Sequence, residues 1–439
     1  MVMRTNIYII LKDRYNPKKF ITKYNMLHYI LSVITLLILF FFAYVKLKYP
    51  FWSNQPVYHT YDFIRYLYKQ PFIINSNKPP KNKYYDPLHV RTYNYLDCND
   101  TKINDFVNII QCFYISTDRI LHTISFKDIQ NTFIGQTEPS FISIYYDKQI
   151  EQSFDLSGSQ ISTKNVPNGC ISSRCLKFWY VDKTTKQQNY TEMPIYFIDY
   201  LSVDRTVDRT SLYRKLLQTH QYNQRIENMN VQCSLIKKEI ELFGGIVPFV
   251  QYNTMTYKLK DSKMPALPKH YQVIEMNNEN MDLYIDFFYT NTDYCSKTQL
   301  YDVMVFPEVG NIQNLIKQKL LYVYCLKGRE HVYGFYFFRD AKMYYEELEG
   351  NTLHCIGSIM NCLSVSIFYS GFLYSMRDII KKEKSFSMLL FEDLGHNEML
   401  LNLWNTNNIP VFTNKTAYYL YNFIYPGSPI GKKRVFILQ

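Results

Sequence analysis

The longest uninterrupted apolar stretch of the chain lies near its start. Residues 26–45, MLHYILSVITLLILFFFAYV, contain no Asp, Glu, Lys or Arg. At about 1.5 Å of rise per residue, a helix of this length spans the ~30 Å hydrocarbon layer of a bilayer. The alternatives are a signal peptide, which fits less well because no small-residue cleavage site follows, and a buried core helix. The pattern predicts a transmembrane helix over 26–45, after a basic segment over 1–25.

The rest of the chain alternates strand-like and helix-like patterns. The β-branched and aromatic runs SFISIYYD (140–147) and PIYFIDYLSV (194–203) predict strands. TSLYRKLLQTHQYNQRI (210–226) predicts a helix with Thr210 or Ser211 as its N-cap. CSLIKKEIELFGG (233–245) predicts a second helix, which Gly244 and Gly245 would end.

A proline-containing connector, DSKMPALPKHY (261–271), divides this pattern into two halves. After it, LLYVYCL (320–326) and HVYGFYFF (331–338) predict a hairpin, SIFYSGFLYSMRDIIKKE (366–383) a helix and SMLLFED (387–393) a strand. The tail predicts a hairpin or strand pair. We therefore expect an α+β protein with halves over 46–263 and 264–439.

Composition and charge narrow the function classes. With 47% hydrophobic and 20% charged residues among 439, the chain is globular, and 42 Tyr beside 14 Gly suggest an AT-rich genome. The formal charge of +11 favours anionic partners, but no dense Lys/Arg run interleaved with aromatics predicts nucleic-acid binding. The nine cysteines have no zinc-site spacing, since CISSRC (170–175) lacks a second half, so we expect no metal and reduced thiols.

The tail YYLYNFIYP…KKRVFILQ resembles the C-terminus of eukaryotic N-myristoyltransferases (glycylpeptide N-tetradecanoyltransferases), down to the final Gln439. YPFWSNQPV (49–57) resembles that family's acyl-CoA-binding segment, and MPALPK (264–269) its connector between halves. IYFIDYLSVDRTVDRTS (195–211) is a fainter match to its CoA-binding strand and loop.

The resemblance implies a fold of two fused GNAT-type acyltransferase halves, here preceded by the transmembrane helix. It implies transfer of myristate from myristoyl-CoA, a co-substrate and not a permanently bound cofactor, to the N-terminal glycine of proteins. The first half would hold myristoyl-CoA and the second would help to hold the peptide. Because acyl-CoA is cytosolic, we expect a single-pass membrane protein with a cytosolic catalytic region. The basic residues before the apolar stretch slightly favour a cytosolic N-terminus instead.

The resemblance also implies catalytic groups. The α-carboxylate of Gln439 would act as general base towards the glycine ammonium, and the backbone amides of Phe197 and Ile198, at a strand distortion, would form the oxyanion hole. In water a carboxyl pKa of ~3.5 matches an amine pKa of ~8 poorly. Burial raises the first and lowers the second, which closes part of that gap.

A loop entering a helix would hold the CoA phosphates on backbone amides at Val207 to Ser211, with Arg209 adding charge. The alternative is a capped surface helix, which the nearby Asp204 and Asp208 favour. The aromatics of YPFWSNQPV would surround the thioester, although interfacial aromatics are expected beside a membrane helix in any case. The predicted acyl-CoA contacts are Tyr49, Pro50, Phe51, Trp52, Phe197, Ile198, Asp199, Tyr200, Val207, Asp208, Arg209, Thr210 and Ser211.

The sequence departs from the family at two places. Tyr196 stands where the family has an Asn before its oxyanion pair, and NIPVFTNKT (408–416) replaces a Gly-rich acidic loop that meets peptide substrates. These departures keep two alternatives open. One is a degenerate domain that binds acyl-CoA or a glycine peptide without turnover, and the other is a membrane-anchored structural protein whose fold is incidental.

Overall fold

The computed structural model describes most of the chain. The described residues are 17–114, 120–155, 158–182, 190–206, 208–260, 266–290, 301–329, 331–361 and 364–439. The chain divides into two compact units, Met1–Gln55 and Pro56–Gln439. The predicted boundary between 263 and 264 lies outside the described residues.

Eight α-helices fall within these ranges. They are α1 (Pro17–Lys48), α2 (Asp100–Phe113), α3 (Phe126–Phe133), α4 (Arg209–Glu227), α5 (Asp282–Ile285), α6 (Val309–Lys317), α7 (Val365–Lys382) and α8 (Asn397–Trp404).

Seventeen strands fall within the same ranges. They are β1 (Phe72–Ile73), β2 (Val90–Asn94), β3 (Ile120–His122), β4 (Phe141–Asp155), β5 (Gly158–Val181), β6 (Tyr190–Val203), β7 (Ser234–Glu239), β8 (Val250–Lys258), β9 (Gln272–Glu275), β10 (Val303–Phe306), β11 (Leu321–Lys327), β12 (Val332–Tyr345), β13 (Gly350–Met360), β14 (Phe386–Glu392), β15 (Phe412–Tyr421), β16 (Phe423–Ile424) and β17 (Val435–Ile437).

Helix α1 belongs to the first unit and contains the predicted apolar segment. Within it, His28–Lys48 has a mean hydropathy of 2.5 over 21 residues. At ~1.5 Å per residue this stretch is about 31 Å long, which is long and apolar enough to cross a membrane. The helix is confirmed, and its insertion into a membrane stays a prediction.

The second unit repeats one strand order. In the first repeat β2, β4, β5 and β6 pair antiparallel in that order, and β7 then pairs parallel to β6 after the helix α4. In the second repeat β9, β11, β12 and β13 pair antiparallel, and β14 pairs parallel to β13 after the helix α7. A right-handed helical crossover normally joins two parallel neighbours, so each repeat is a self-consistent α+β unit. The predicted fold of two fused GNAT-type halves is confirmed.

The two repeats exchange strands. β8, which follows the first repeat in the chain, pairs with β14 of the second, and β15, which follows the second, pairs with β7 of the first. β8 and β15 also pair with each other. These pairings join both repeats into one continuous fifteen-stranded sheet.

The end of the chain returns to the first repeat. β17 runs parallel to β10, which is itself antiparallel to β5. Along these strands alternate side chains enter two apolar clusters, for example Phe178 and Val435 on one face and Trp179 and Phe436 on the other. Because both faces are covered, the last strand is buried.

Helix α7 confirms the helix predicted over 366–383. Phe368, Phe372, Met376 and Ile379 recur at helical spacing, and all four are buried against the second repeat. The predicted helix 210–226 is likewise confirmed as α4, although Asp208 caps it and not Thr210 or Ser211. The predicted strands at 140–147, 194–203 and 387–393, and the hairpin of β11 and β12, are also confirmed.

The predicted helix at 233–245 is wrong, because this stretch contains the strand β7. Its Lys and Glu residues suit a helix, but Leu235 and Ile236 are both buried on opposite faces of the sheet. β6 and β15 supply backbone partners on both edges, and this pairing outweighs local propensity.

Candidate active site

The parallel pair of β6 and β7 opens into a split. Their pairing covers Tyr196–Ile198 and Ser234–Ile236. Beyond it, β6 continues along β5, whereas β7 continues along β15. We call the space between Asp199–Val203 and Lys237–Glu239 the split. Backbone groups facing it have left their common ladder, so an extended ligand can find donors and acceptors there.

A buried glutamate of the second repeat lies at this split. Glu392, the last residue of β14, is fully buried. Its Oε1 accepts a hydrogen bond from Lys237 Nζ at 2.8 Å and lies 3.1 Å from His354 Nε2. Its Oε2 accepts one from the Tyr252 hydroxyl at 2.9 Å. Lys237 also pairs with Glu239 at 2.8 Å. Buried charges require such partners, so this cluster ties the two repeats together.

Burial and pairing oppose each other in this cluster. Burial alone would raise the pKa of Glu392, but Lys237 and His354 outweigh it and hold that pKa well below its ordinary value. Burial would lower the pKa of Lys237, but Glu239 and Glu392 raise it above the ordinary value. For His354 burial dominates and lowers the pKa to about 4. At neutral pH the cluster therefore holds a carboxylate, an ammonium and a neutral imidazole.

Gln439 lies at the same cluster and is only 6% exposed. Arg339 Nη1 donates to its main-chain oxygen at 3.3 Å, and its own Nε2 donates to Glu392 Oε1 at 3.3 Å. Arg339 Nε donates to His354 Nδ1 at 3.2 Å, which leaves the histidine proton on Nε2, facing Glu392. Gln439 thus lies among charged residues that both repeats contribute.

A second buried arginine lines the first repeat beside the split. Arg174 on β5 is 3% exposed, and its Nε has no hydrogen-bond partner among the described residues. Its guanidinium lies 5.8 Å from the ring centre of Phe197. Burial lowers the pKa of Arg174, and the nearby Asp199 opposes that shift. An unpaired buried donor of this kind is suited to an anionic or strongly polar ligand.

The predicted oxyanion residues lie next to the split. Phe197 and Ile198 align with Arg174 and Ser173 of β5 and with β7 on the other side. Successive amides of a regular strand point to opposite edges, so two adjacent donors converge only where the strand is distorted. The distortion lies at Tyr200, whose φ is +52° and where the register with β5 shifts. The roles of Phe197 and Ile198 stay a prediction.

At Tyr200 the freed amide already has a partner. It donates to Asp199 Oδ1 at 2.8 Å, and the Tyr114 hydroxyl donates to the same oxygen at 3.0 Å. A non-glycine residue with positive φ is strained by roughly 1–3 kcal/mol, which the surrounding contacts must offset. Asp199 and Tyr200, both predicted acyl-CoA contacts, therefore mark an ordered and strained position beside the split.

The predicted phosphate-binding turn precedes α4. The side chain of Asp208 accepts from the amide of Ser211 at 3.2 Å, so a carboxylate caps the helix. Asp204 accepts from the Thr206 amide at 2.8 Å. Val207 lies outside the described residues. An aspartate at this position competes with a phosphate for the same amides, and the roles of Asp208, Arg209, Thr210 and Ser211 in binding CoA stay a prediction.

Tyr196, the departure from the family pattern, is buried and fully bonded. Its hydroxyl donates to the carbonyl of Pro139 at 3.0 Å and accepts from Asn228 Nδ2 at 2.8 Å. Burial raises its pKa above the ordinary value. Its hydroxyl therefore stays protonated and contacts the 139 loop.

The aromatics Tyr49, Pro50, Phe51 and Trp52 belong to the unit Met1–Gln55. The rings of Phe51 and Trp52 meet edge to face, with centres 4.9 Å apart. Their role in binding acyl-CoA stays a prediction.

An open groove of about 410 Å³ lies beside β6 on the side that precedes the split. It is bordered by the β1 segment, by Met193 and Pro194 of β6, and by Phe423 of β16. Asn230 and Gln232 add amide groups, so the groove offers both apolar surface and hydrogen bonds.

Sequence reasoning missed Arg174, Lys237, Arg339, His354 and Glu392. The sequence did contain a signal for Arg174, Lys237, Arg339 and Glu392. Each is a charged residue within or next to an apolar strand pattern, as in CISSRCLKFW and SMLLFED. No group of His, Cys, Asp and Glu able to hold a metal ion occurs in the part of the chain that the structure describes.

The fold is similar to that of solved N-myristoyltransferases. A Saccharomyces cerevisiae N-myristoyltransferase with bound myristoyl-CoA has a TM-score of 0.63 and 11% identity, over 89% of this chain and 99% of that one. A second structure of the yeast protein with bound myristoyl-CoA has a TM-score of 0.61 and 12% identity, over 89% and 94% of the two chains. No protein-family sequence model and no curated protein sequence matches the chain. The similarity is one of fold, and the chain has the fold of N-myristoyltransferase.

Proposed function

We propose that this protein transfers myristate from myristoyl-CoA to the N-terminal glycine of proteins. The observation that carries the proposal is the position of Gln439. It is buried at the split, bonded by Arg339 and next to Glu392, in a chain with the fold of N-myristoyltransferase. A buried chain end held by a charged partner is suited to chemistry because its geometry is fixed before the substrate arrives.

In the proposed reaction the glycine amine attacks the thioester carbonyl. The new N–C bond forms, the C–S bond breaks, and the second proton of the amine passes to the sulfur, so that coenzyme A leaves as the thiol. The α-carboxylate of Gln439 accepts the proton of the glycine ammonium, and Arg339 orients that carboxylate. The amides of Phe197 and Ile198 stabilise the charge that develops on the carbonyl oxygen.

The remaining binding roles follow the sequence resemblance. Tyr49–Trp52, Asp199, Tyr200 and the 207–211 turn contact acyl-CoA, and the second half of the chain helps to hold the acceptor peptide. Helix α1 anchors the protein in a membrane, with the catalytic unit in the cytosol where acyl-CoA is present.

The experiment uses the full chain in lipid nanodiscs with labelled myristoyl-CoA. A peptide that begins with glycine should become labelled at its amine, and the same peptide beginning with alanine should not. Labelling of neither peptide, with myristoyl-CoA bound normally, would contradict the proposed transfer.

One observation favours a second function, binding of acyl-CoA or a glycine peptide without turnover. Lys237 is an internal ammonium already paired with Glu392, which itself contacts Gln439. From this position it competes with the glycine ammonium of a substrate for the α-carboxylate of Gln439, so that ligand binds without transfer. Saturable myristoyl-CoA binding with no labelled peptide would favour this second function.

A further inference from the structure

A cluster of large apolar side chains is exposed on the second unit. Phe63, Ile64, Tyr66, Leu67 and Tyr68 are between 53% and 78% exposed. Single exposed apolar residues are ordinary, but five within six positions concentrate apolar surface in one segment, which favours a binding partner. We call these residues the apolar patch.

The apolar patch is held in place by the folded unit. Arg65–Leu67 form a 3₁₀ turn, and Arg65 pairs with Asp62 at 2.7 Å and donates to the carbonyl of Val57 at 3.2 Å. The ring of Tyr66 lies 5.1 Å from that of Tyr58. The arginine between the apolar residues is therefore turned inward, and the apolar side chains are displayed outward.

Basic residues follow the apolar patch along the chain. Asp62, just before the patch, is paired with Arg65. The charged residues between Tyr68 and Tyr85 are all basic, namely Lys69, Lys78, Lys81 and Lys83. Aromatic and aliphatic side chains beside lysines are typical of segments that lie in the headgroup region of an anionic membrane.

We propose that the apolar patch inserts into the interface of an anionic lipid leaflet, as a membrane contact of the folded unit additional to α1. A lipid surface is favoured over a protein partner because only 14 residues lie between Lys48, the end of α1, and Phe63. Fully extended, those residues reach at most about 50 Å. The inference rests on α1 crossing a membrane and is independent of acyl transfer.

The test places a photo-crosslinking benzoyl-phenylalanine at Leu67 of the full chain in nanodiscs containing phosphatidylserine. Leu96 is the matched control, because it is a 75% exposed leucine beside the acidic Asp97. Mass spectrometry of the irradiated protein identifies lipid adducts, and peptide labelling is measured in the same samples. Ile64 serves as a second position in case the Leu67 variant folds poorly.

We expect at least tenfold more lipid adduct at Leu67 than at Leu96. When phosphatidylcholine replaces phosphatidylserine, the amount of lipid adduct at Leu67 should fall several-fold. Equal adduct at both positions, or adducts with a second copy of the chain, would overturn the proposal. So would a chain that does not remain with the nanodiscs. None of these results depends on peptide labelling, so failure of the proposed membrane contact can be distinguished from failure of the proposed acyl transfer.

Discussion

Adding two glycines after Gln439 is the most direct perturbation of the proposed general base. Each added residue moves the terminal carboxylate by up to ~3.8 Å, whereas proton transfer requires ~2.6–3.2 Å or one bridging water. Gln439 is 6% exposed, so the added residues cannot be accommodated without displacing it from Arg339. General-base catalysis contributes about 10²–10⁴-fold, and we expect transfer to fall by that factor.

The assay compares transfer to a glycine-initiated peptide with myristoyl-CoA affinity for the native and extended proteins, after intact mass has verified each C-terminus. The matched control is Gln439→Ala, which keeps a terminal carboxylate and loses only the 3.3 Å contact with Glu392. One such hydrogen bond is worth about 1–2 kcal/mol, so this variant should lose at most roughly thirtyfold. An extended protein that turns over as fast as the native one would refute the role of the carboxylate.

Three further predictions concern stability. Lys237→Met leaves Glu392 buried without its cation and should lower the free energy of unfolding by about 3–5 kcal/mol. The double variant Lys237→Met, Glu392→Gln should recover most of that free energy. Urea unfolding that finds the double variant no more stable than Lys237→Met would contradict this prediction. His354 has a pKa of about 4 when folded and ~6.5 when unfolded, so the unfolded state binds more protons between these values and stability falls as pH drops through this window. Between pH 7 and 5 its share is about 2 kcal/mol, and His354→Gln should reduce that slope, whereas an unchanged slope would argue against a buried neutral imidazole. Gly135→Ala should lower the melting temperature, because the new Cβ would lie 2.6 Å from the carbonyl carbon of Gly310. Gly135 also has a φ of +85°, which costs a residue with a side chain about 1–3 kcal/mol. Gly310→Ala should lower the melting temperature less.

The local pattern of apolar residues correctly predicted those helices and strands that depend mainly on their own residues. Helix α7 was predictable because its buried residues recur at helical spacing, and the strands because apolar residues fill them. β7 was mispredicted since its helix-favouring Lys and Glu residues are overruled by β6 and β15, which are far away in the sequence.

The charged cluster at Glu392 could not be predicted for the same reason. Lys237 lies on β7, whereas His354 and Glu392 lie on β13 and β14, and β15 and β8 come between them in the sheet, an order that the sequence does not display. The tail resemblance did predict Gln439 as a site residue, but its contacts with Arg339 and Glu392 depend on strand register. Register also decides that the distortion of β6 falls at Tyr200.

The exchange of strands between the repeats has a consequence for synthesis. The edge of β7 stays open until β15 leaves the ribosome, roughly 170 residues later. At ~5–20 residues per second this delay lasts about 10–30 s. During that time the nascent chain presents an unpaired, partly apolar edge that can capture another chain. Neither repeat can be completed alone, so a polypeptide truncated before Phe412 should be retained by chaperones or aggregate.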